Sequence, residues 1–295
     1  MSPKSNPDNL ASPATKAESS HFSLNEKYPW AVFILPFVAY MLSGSLLPSP
    51  IQSRFDTLPA AEIVEEGVDS NNVAPDKDQL RWRWFGDMRV GDRVYPVMYA
   101  VRIALVVAIM LVFWRGYQRF FPIRISLWGI VVGAVGVVVW VGLCQLGLEE
   151  KALMPIGLGR LLGLGERSAY NPLDAFQNDM PLLIGFLAVR FTGLAIIVPI
   201  IEEFFLRGFL MRFVTDEMHW EKVPFGHATR NAIIAGTVYG VLTHPAEILA
   251  AVAWFSMVTW LMLKTRNIWD CVMAHAVTNL LLGIYVLKTG HWELW

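Results

Sequence analysis

Residues 181–213 read PLLIGFLAVRFTGLAIIVPIIEEFFLRGFLMRF, and the fold class is decided there. The run is longer than the roughly 20 apolar residues that a bilayer crossing needs. Before the charges Glu202, Glu203 and Arg207, only Arg190 interrupts it. Unbroken apolarity at this length predicts a helix, which satisfies its backbone groups internally, whereas a barrel strand would alternate. At ~1.5 Å per residue the helix is ~50 Å long and overshoots the ~30 Å hydrocarbon core. That length places the acidic pair in the inner half of the membrane and Arg190 near the outer interface.

Similar apolar blocks lie at roughly 30–48, 96–114, 125–146, 229–244, 246–263 and 268–287. The expected fold is therefore an all-α integral membrane protein, a polytopic helical bundle of about seven transmembrane helices. Composition agrees: 55% of the 295 residues are hydrophobic and only 17% charged, against about a quarter charged in soluble domains. A soluble enzyme is excluded. A net charge of -1 without a long basic run argues against a nucleic-acid partner. Cys144 and Cys271 fall inside apolar blocks and read as free, buried small hydrophobes.

Four regions follow. Residues 1–27 form a polar tail read as disordered, too polar for a cleaved signal peptide. Residues 28–180 hold three spans, with an acidic loop over 49–95 and a connecting segment over 147–180. Residues 181–287 hold four spans and all the candidate chemistry, and 288–295 form a Trp-rich tail. Arg115, Arg119 and Arg124, then Arg207, Arg212, Lys222 and Arg230, then Lys264 and Arg266 occupy alternate loops. Basic loops stay cytoplasmic, so the N-terminus is expected inside and the C-terminus outside.

Ionisable residues within spans are costly and mark function by default. Glu203 and Arg207 stand at i and i+4, the favourable order for an ion pair on one helical face. Glu202 points about 100° away and its carboxylate is free for another task. Pro199 cannot donate to the carbonyl of Ala195, which opens the helix locally. His244 follows Gly236 and Gly240, a spacing that lets another helix approach. His275 and Asn279 share one face of the last span. Each motif also has a plain structural reading: an interfacial charge cluster, a hydrogen-bonded histidine at a span end, an interhelical hydrogen bond. Together, one carboxylate, two imidazoles and an amide are the parts of a water-activating hydrolytic site. H-E-x-x-H, G-x-S-x-G and a phosphate loop are all missing, which removes soluble-type metalloprotease, serine-hydrolase and nucleotide-binding readings.

Glu202-Glu203-x-x-x-Arg207, then His244, then His275-x-x-x-Asn279 resemble the CPBP family of intramembrane proteases, which includes type II CAAX-prenyl endopeptidases and bacteriocin-processing proteins. Residues 290–295, GHWELW, are similar to the bacterial branch associated with exosortase and PEP-CTERM sorting. One departure stands out: the family usually has Phe four residues before the second-motif His, and here Gly240 holds that place.

The resemblance implies that Glu202 and His244 activate water while His275 and Asn279 steady the oxyanion, with Glu203 and Arg207 in support. It implies a membrane-anchored or membrane-proximal protein or peptide substrate, membrane lipid around the site and a bacterial inner-membrane location. Cofactor use stays open. Glu202, His244 and His275 can supply three zinc ligands and an open position, or the site works without metal, for which an Asn279–His275 oxyanion pair is better suited. Two rival functions remain: a non-catalytic membrane partner in a sorting or bacteriocin-immunity system, and a small-solute transporter, which the lack of internal repeats disfavours. The depth of His244 is also open, because a helix from Thr229 carries it about 22 Å along, away from Glu202 unless Pro245 ends a short span or the helix tilts.

Overall fold

The computed structural model describes residues 28–50, 79–82, 88–91, 93–153, 155–156 and 170–294. The polar tail 1–27 and most of the acidic loop lie outside them. Among the described residues seven helices of 14 residues or more follow the seven apolar blocks: α1 (Ala31–Ser45), α2 (Val94–Phe120), α3 (Leu127–Leu146), α4 (Met180–Thr215), α5 (Arg230–Thr243), α6 (Ile248–Thr265) and α7 (Ile268–Thr289). The protein is an all-α membrane protein. Five helices, α2, α3, α4, α6 and α7, are long and apolar enough to cross a membrane. The 15 residues of α1 and the 14 of α5 reach about 22 Å, less than the ~30 Å core.

The acidic loop is not wholly irregular. Ser49–Pro50, Gln79–Trp82 and Met88–Gly91 form a small antiparallel sheet (β1, β2, β3), with Arg81 opposite both Ser49 and Arg89. Of segment 147–180, two short helices are described, Leu148–Leu153 and Pro172–Ala175.

Local chemistry sets the helix boundaries. Asp179 accepts from the Leu182 N–H and Pro181 occupies the first turn, so α4 starts at Met180. Thr229 caps α5 and Asn267 caps α7 in the same way. Pro245 follows the cap of α5, so α5 is a short helix and His244 is its C-cap.

The helix expected over 181–213 runs from Met180 to Thr215, but it is not α-helical throughout. Gly193–Ile197 and Phe204–Leu210 wind as π-helix on either side of a short α segment, Val198–Glu203. Such wide turns cluster at functional sites. Here one has a direct cause: Pro199 has no N–H, and the preceding N–H of Val198 donates five residues back, to Gly193 O.

Helices in lipid gain little from apolar burial against one another and associate through close packing of small residues. Glycines of α3 provide that packing. A Cβ at Gly133 would stand 2.5 Å from Ala274 O, one at Gly129 2.8 Å from Asp270 O, and one at Gly136 2.8 Å from Thr278 Oγ1. The backbones of α3 and α7 therefore touch. Thr278 Oγ1 donates to Gly133 O at 3.0 Å and accepts from Trp254 Nε1 at 3.1 Å, tying α3, α6 and α7 together.

The connections α2–α3, α4–α5 and α6–α7 meet at one end of the bundle, where Arg124, Lys222, Lys264 and Arg266 border a single cavity. Phe33, near the start of α1, packs there against Phe121 and Trp220. The last turn of chain lies at the other end, where His291 stacks on Tyr285 and Tyr285 accepts from Gln145 near the end of α3.

Candidate active site

Glu202, on the α segment between the two π stretches, lines a cavity of about 220 Å³ that His244, His275 and Asn279 also line. Four residues from two helices, α4 and α7, and the C-cap of α5 are thus gathered at one place. The cavity extends from Glu202 to Glu247 and Leu294, toward the end of the bundle opposite the basic connections.

The two acids have different surroundings. Glu202 keeps 14% of its side chain accessible, whereas Glu203 is buried at 1%. Arg207, fully buried, pairs with Glu203 Oε2 and also donates to Phe255 O at 3.3 Å. Glu203 has a second partner that its sequence position did not reveal: His275 Nδ1 donates to its other oxygen at 3.1 Å. A buried charge is tolerable only when paired and hydrogen-bonded, and this cluster supplies both conditions. The bond to Glu203 fixes a hydrogen on Nδ1 and thereby orients Nε2, which lies 4.0 Å from Glu202 Oε2. The edge of Trp254, 4.7 Å away between centroids, holds the ring from the side.

His244 is positioned by its own helix end. Its Nδ1 lies 3.2 Å from Gly240 O, to which it donates, and 3.0 Å from Thr243 Oγ1. Trp140 and Phe255 flank the ring at 5.2 and 5.7 Å. Gly240 has a definite reason to be glycine. The Phe255 ring lies where a Cβ would project, with Phe255 Cε2 2.9 Å from that point. The Phe255 ring of α6 fills the space beside position 240.

Asn279 shares its face with His275, yet its Nδ2 donates to Leu194 O at 2.8 Å. The π register explains this partner. With Val198 N–H on Gly193 O, the next donor in that register would be Pro199, which has none, so the carbonyl left over is Leu194 O rather than Ala195 O. The side-chain amide of α7 repairs the backbone gap of α4. A second amide hydrogen remains available.

The sequence offers Glu202, His244 and His275 as three zinc ligands, and all three line the cavity. Among the described residues no three His, Cys, Asp or Glu side chains are gathered as metal ligands. Nδ1 of His275 is engaged by Glu203 and Nδ1 of His244 by Gly240 O. Both rings are thereby bonded through Nδ1, the bond that a metal-ligating histidine also makes through its second nitrogen.

These features define a polytopic helical membrane protein with a carboxylate–imidazole–amide cavity among its C-terminal helices. Residues 184–281 match the family model described as type II CAAX prenyl endopeptidase Rce1-like. The match covers about a third of the chain, from early in α4 to within α7, and takes in every motif of the cavity. It supports the resemblance to the CPBP proteases; residues 290–295, which carried the narrower exosortase-associated resemblance, lie outside it. No curated protein and no solved structure matches the chain.

Proposed function

We propose that this protein is an intramembrane endopeptidase that hydrolyses a peptide bond in a membrane-anchored or membrane-proximal protein, using water activated by Glu202 and His244. The observation that carries the reading is the shared cavity: Glu202, His244, His275 and Asn279 line one space inside the segment that matches a family of CAAX prenyl endopeptidases.

Glu202, with Glu203 and Arg207 already neutralising each other behind it, accepts a proton from water. The hydroxide adds to the scissile carbonyl, and the carbonyl oxygen becomes an oxyanion. Asn279 directs its second amide hydrogen at that oxygen, and His275 adds a donor whenever Nε2 carries a proton. Collapse of the tetrahedral intermediate breaks the C–N bond, and the proton held by Glu202 passes to the departing amine. His244, with Nδ1 fixed on Gly240 O, offers its Nε2 lone pair to the same water. We read the protein as one of a bacterial inner membrane with its N-terminal side in the cytoplasm, a reading that the basic connections support, and in that orientation the cavity faces outward.

The test is cleavage of a farnesylated CAAX peptide and of a membrane-proximal bacterial peptide by the full chain in nanodiscs, with the cut mapped by mass spectrometry. Cutting of either peptide, lost in Glu202→Gln and retained after exhaustive chelation, is the expected result. Cleavage by Glu202→Gln at the wild-type rate would remove the assignment. A chelator-sensitive rate restored by zinc would replace it with a metal mechanism.

A further inference from the structure

The cavity between the basic connections has no part in the chemistry above. It measures about 730 Å³, a volume within the range of ligand sites. Arg124, Arg212, Lys222, Lys264 and Arg266 line it, with Glu221 and Asp270 as its acids. Among the described residues no ion pair joins any of them. Even set against both acids in full, the bases leave an excess of three positive charges. Hydrogen bonds between the connections hold the walls in place. Asn267 Nδ2 donates to Arg124 O at 2.7 Å and Trp269 Nε1 to Phe121 O at 3.0 Å. Arg212, buried, donates to Gly208 O, Glu221 O and Val223 O and feels the charge of Glu221. Asp270, also buried, accepts from the Ser126 N–H at 2.7 Å.

Membrane orientation accounts for bases at this end of the bundle but not for their convergence on one hollow. Nor does helix termination account for Arg266. It caps α6 at φ 51°, the one non-glycine residue with positive φ among the described residues, where glycine is the unstrained choice. Its stem packs on Gly226, where a Cβ would stand 2.6 Å from Arg266 Cγ. Lys264 Nζ lies over the Trp128 ring, 4.0 Å from its centroid, and 5.0 Å from that of Trp260. Both tryptophans are exposed, and tryptophans at the ends of spans sit at headgroup level. Ile123, Ile125 and Leu127 are exposed on either side of Arg124, an apolar surface beside a cation.

We propose that this cavity binds the phosphate headgroup of an anionic phospholipid, with Arg124, Lys222, Lys264 and Arg266 as its cationic wall. A basic pocket between spans at headgroup depth suits such a group. The occupant bridges the α2–α3, α4–α5 and α6–α7 connections, and so ties the end of α4 to the start of α7, the two helices that carry Glu202 and His275. Such binding needs no peptidase activity. A free phosphate offers the same oxygens but has no use for the tryptophans and isoleucines beside the bases, and the experiment separates the two sources.

The full chain, delipidated in detergent, is titrated with phosphatidylglycerol, phosphatidylcholine and glycerol 3-phosphate. Bound adducts are counted by native mass spectrometry, and the unfolding temperature is followed in parallel. The first phosphatidylglycerol should bind about 100-fold more tightly than phosphatidylcholine, at about fivefold for each excess base, and should raise the unfolding temperature. Glycerol 3-phosphate at the same concentrations should do neither. Lys264→Gln with Arg266→Gln should weaken phosphatidylglycerol about 25-fold. Arg115→Gln with Arg230→Gln removes two bases that do not line the cavity and should keep the preference. Lys222→Gln, a single exposed change, should weaken binding about fivefold, and it carries the test where the double variant does not fold. Equal binding of the two lipids by the wild type, a preference that survives in Lys264→Gln with Arg266→Gln, or equal losses in both double variants overturns the proposal. Glycerol 3-phosphate binding as tightly as phosphatidylglycerol assigns the cavity to a soluble phosphate and overturns it as well.

Discussion

Glu202 and Glu203 are adjacent and chemically identical, and they differ only in what the fold places around them. Glu203→Gln leaves Arg207, which is fully buried, without a counter-charge. Breaking such a pair costs about 3–5 kcal/mol, which should appear as a marked drop in thermal unfolding temperature in detergent. Glu202→Gln should unfold near the wild-type temperature while losing cleavage; the opposite pattern would reverse the two roles. Helical spacing made the Glu203–Arg207 pair legible in the sequence. The bond from His275 was not, because it joins residues 72 positions apart and depends on how α7 packs on α4. Gly240 gives a second test at this scale. Gly240→Phe puts two rings where Phe255 already lies, and overpacking costs about 1–3 kcal/mol. Phe255→Gly in the same chain should recover much of the loss, because residues in contact couple by roughly 0.5–3 kcal/mol. Strict additivity of the two changes would mean that they do not share the space.

Among the elements, α4 shows how one proline organises a site. The sequence announced the break at Pro199 but placed the unsatisfied carbonyl by ideal α geometry, one residue off. The π turn moves it to Leu194 and brings in Asn279. Asn279→Leu should therefore cost about 1–3 kcal/mol, the penalty of a buried acceptor left unpaired. Pro199→Ala restores an N–H for α4, so Asn279→Leu should cost clearly less in that background. Equal cost in both backgrounds would show that Asn279 does not serve the break. The glycines of α3 were visible as residues but not as a surface, since nothing in one helix says which neighbour approaches it. With the Gly133 Cβ position 2.5 Å from Ala274 O, Gly133→Val must push α7 away and displace His275. Stability and cleavage should fall together, whereas Gly142→Val, with open space around its Cβ position, should change neither. The β1–β3 sheet left no comparable trace, because strands of two to four residues are too short for a periodic pattern.

For the whole molecule the question is which connections share a side of the membrane. Apolar blocks located all seven helices to within a few residues, because a bilayer demands long apolar runs. Length alone leaves α1 and α5 short of a crossing. If α5 did not reverse the chain, Lys222 and Lys264 would face opposite sides; instead they border one cavity together with Arg124 and Arg266. The bundle thus treats α5 as a full reversal despite its 14 residues, which is possible where neighbouring helices and a water-filled cavity cover its ends. Reporter fusions after Arg119, near Lys222 and at Lys264 should then read cytoplasmic. Fusions at Ala246 and after Trp295 should read external. The Ala246 fusion decides, since it lies between Lys222 and Lys264. A cytoplasmic signal there, with an external one at Lys264, would mean that α5 only dips into the membrane, and the cavity containing His244 would then open inward, toward the side where the basic connections lie.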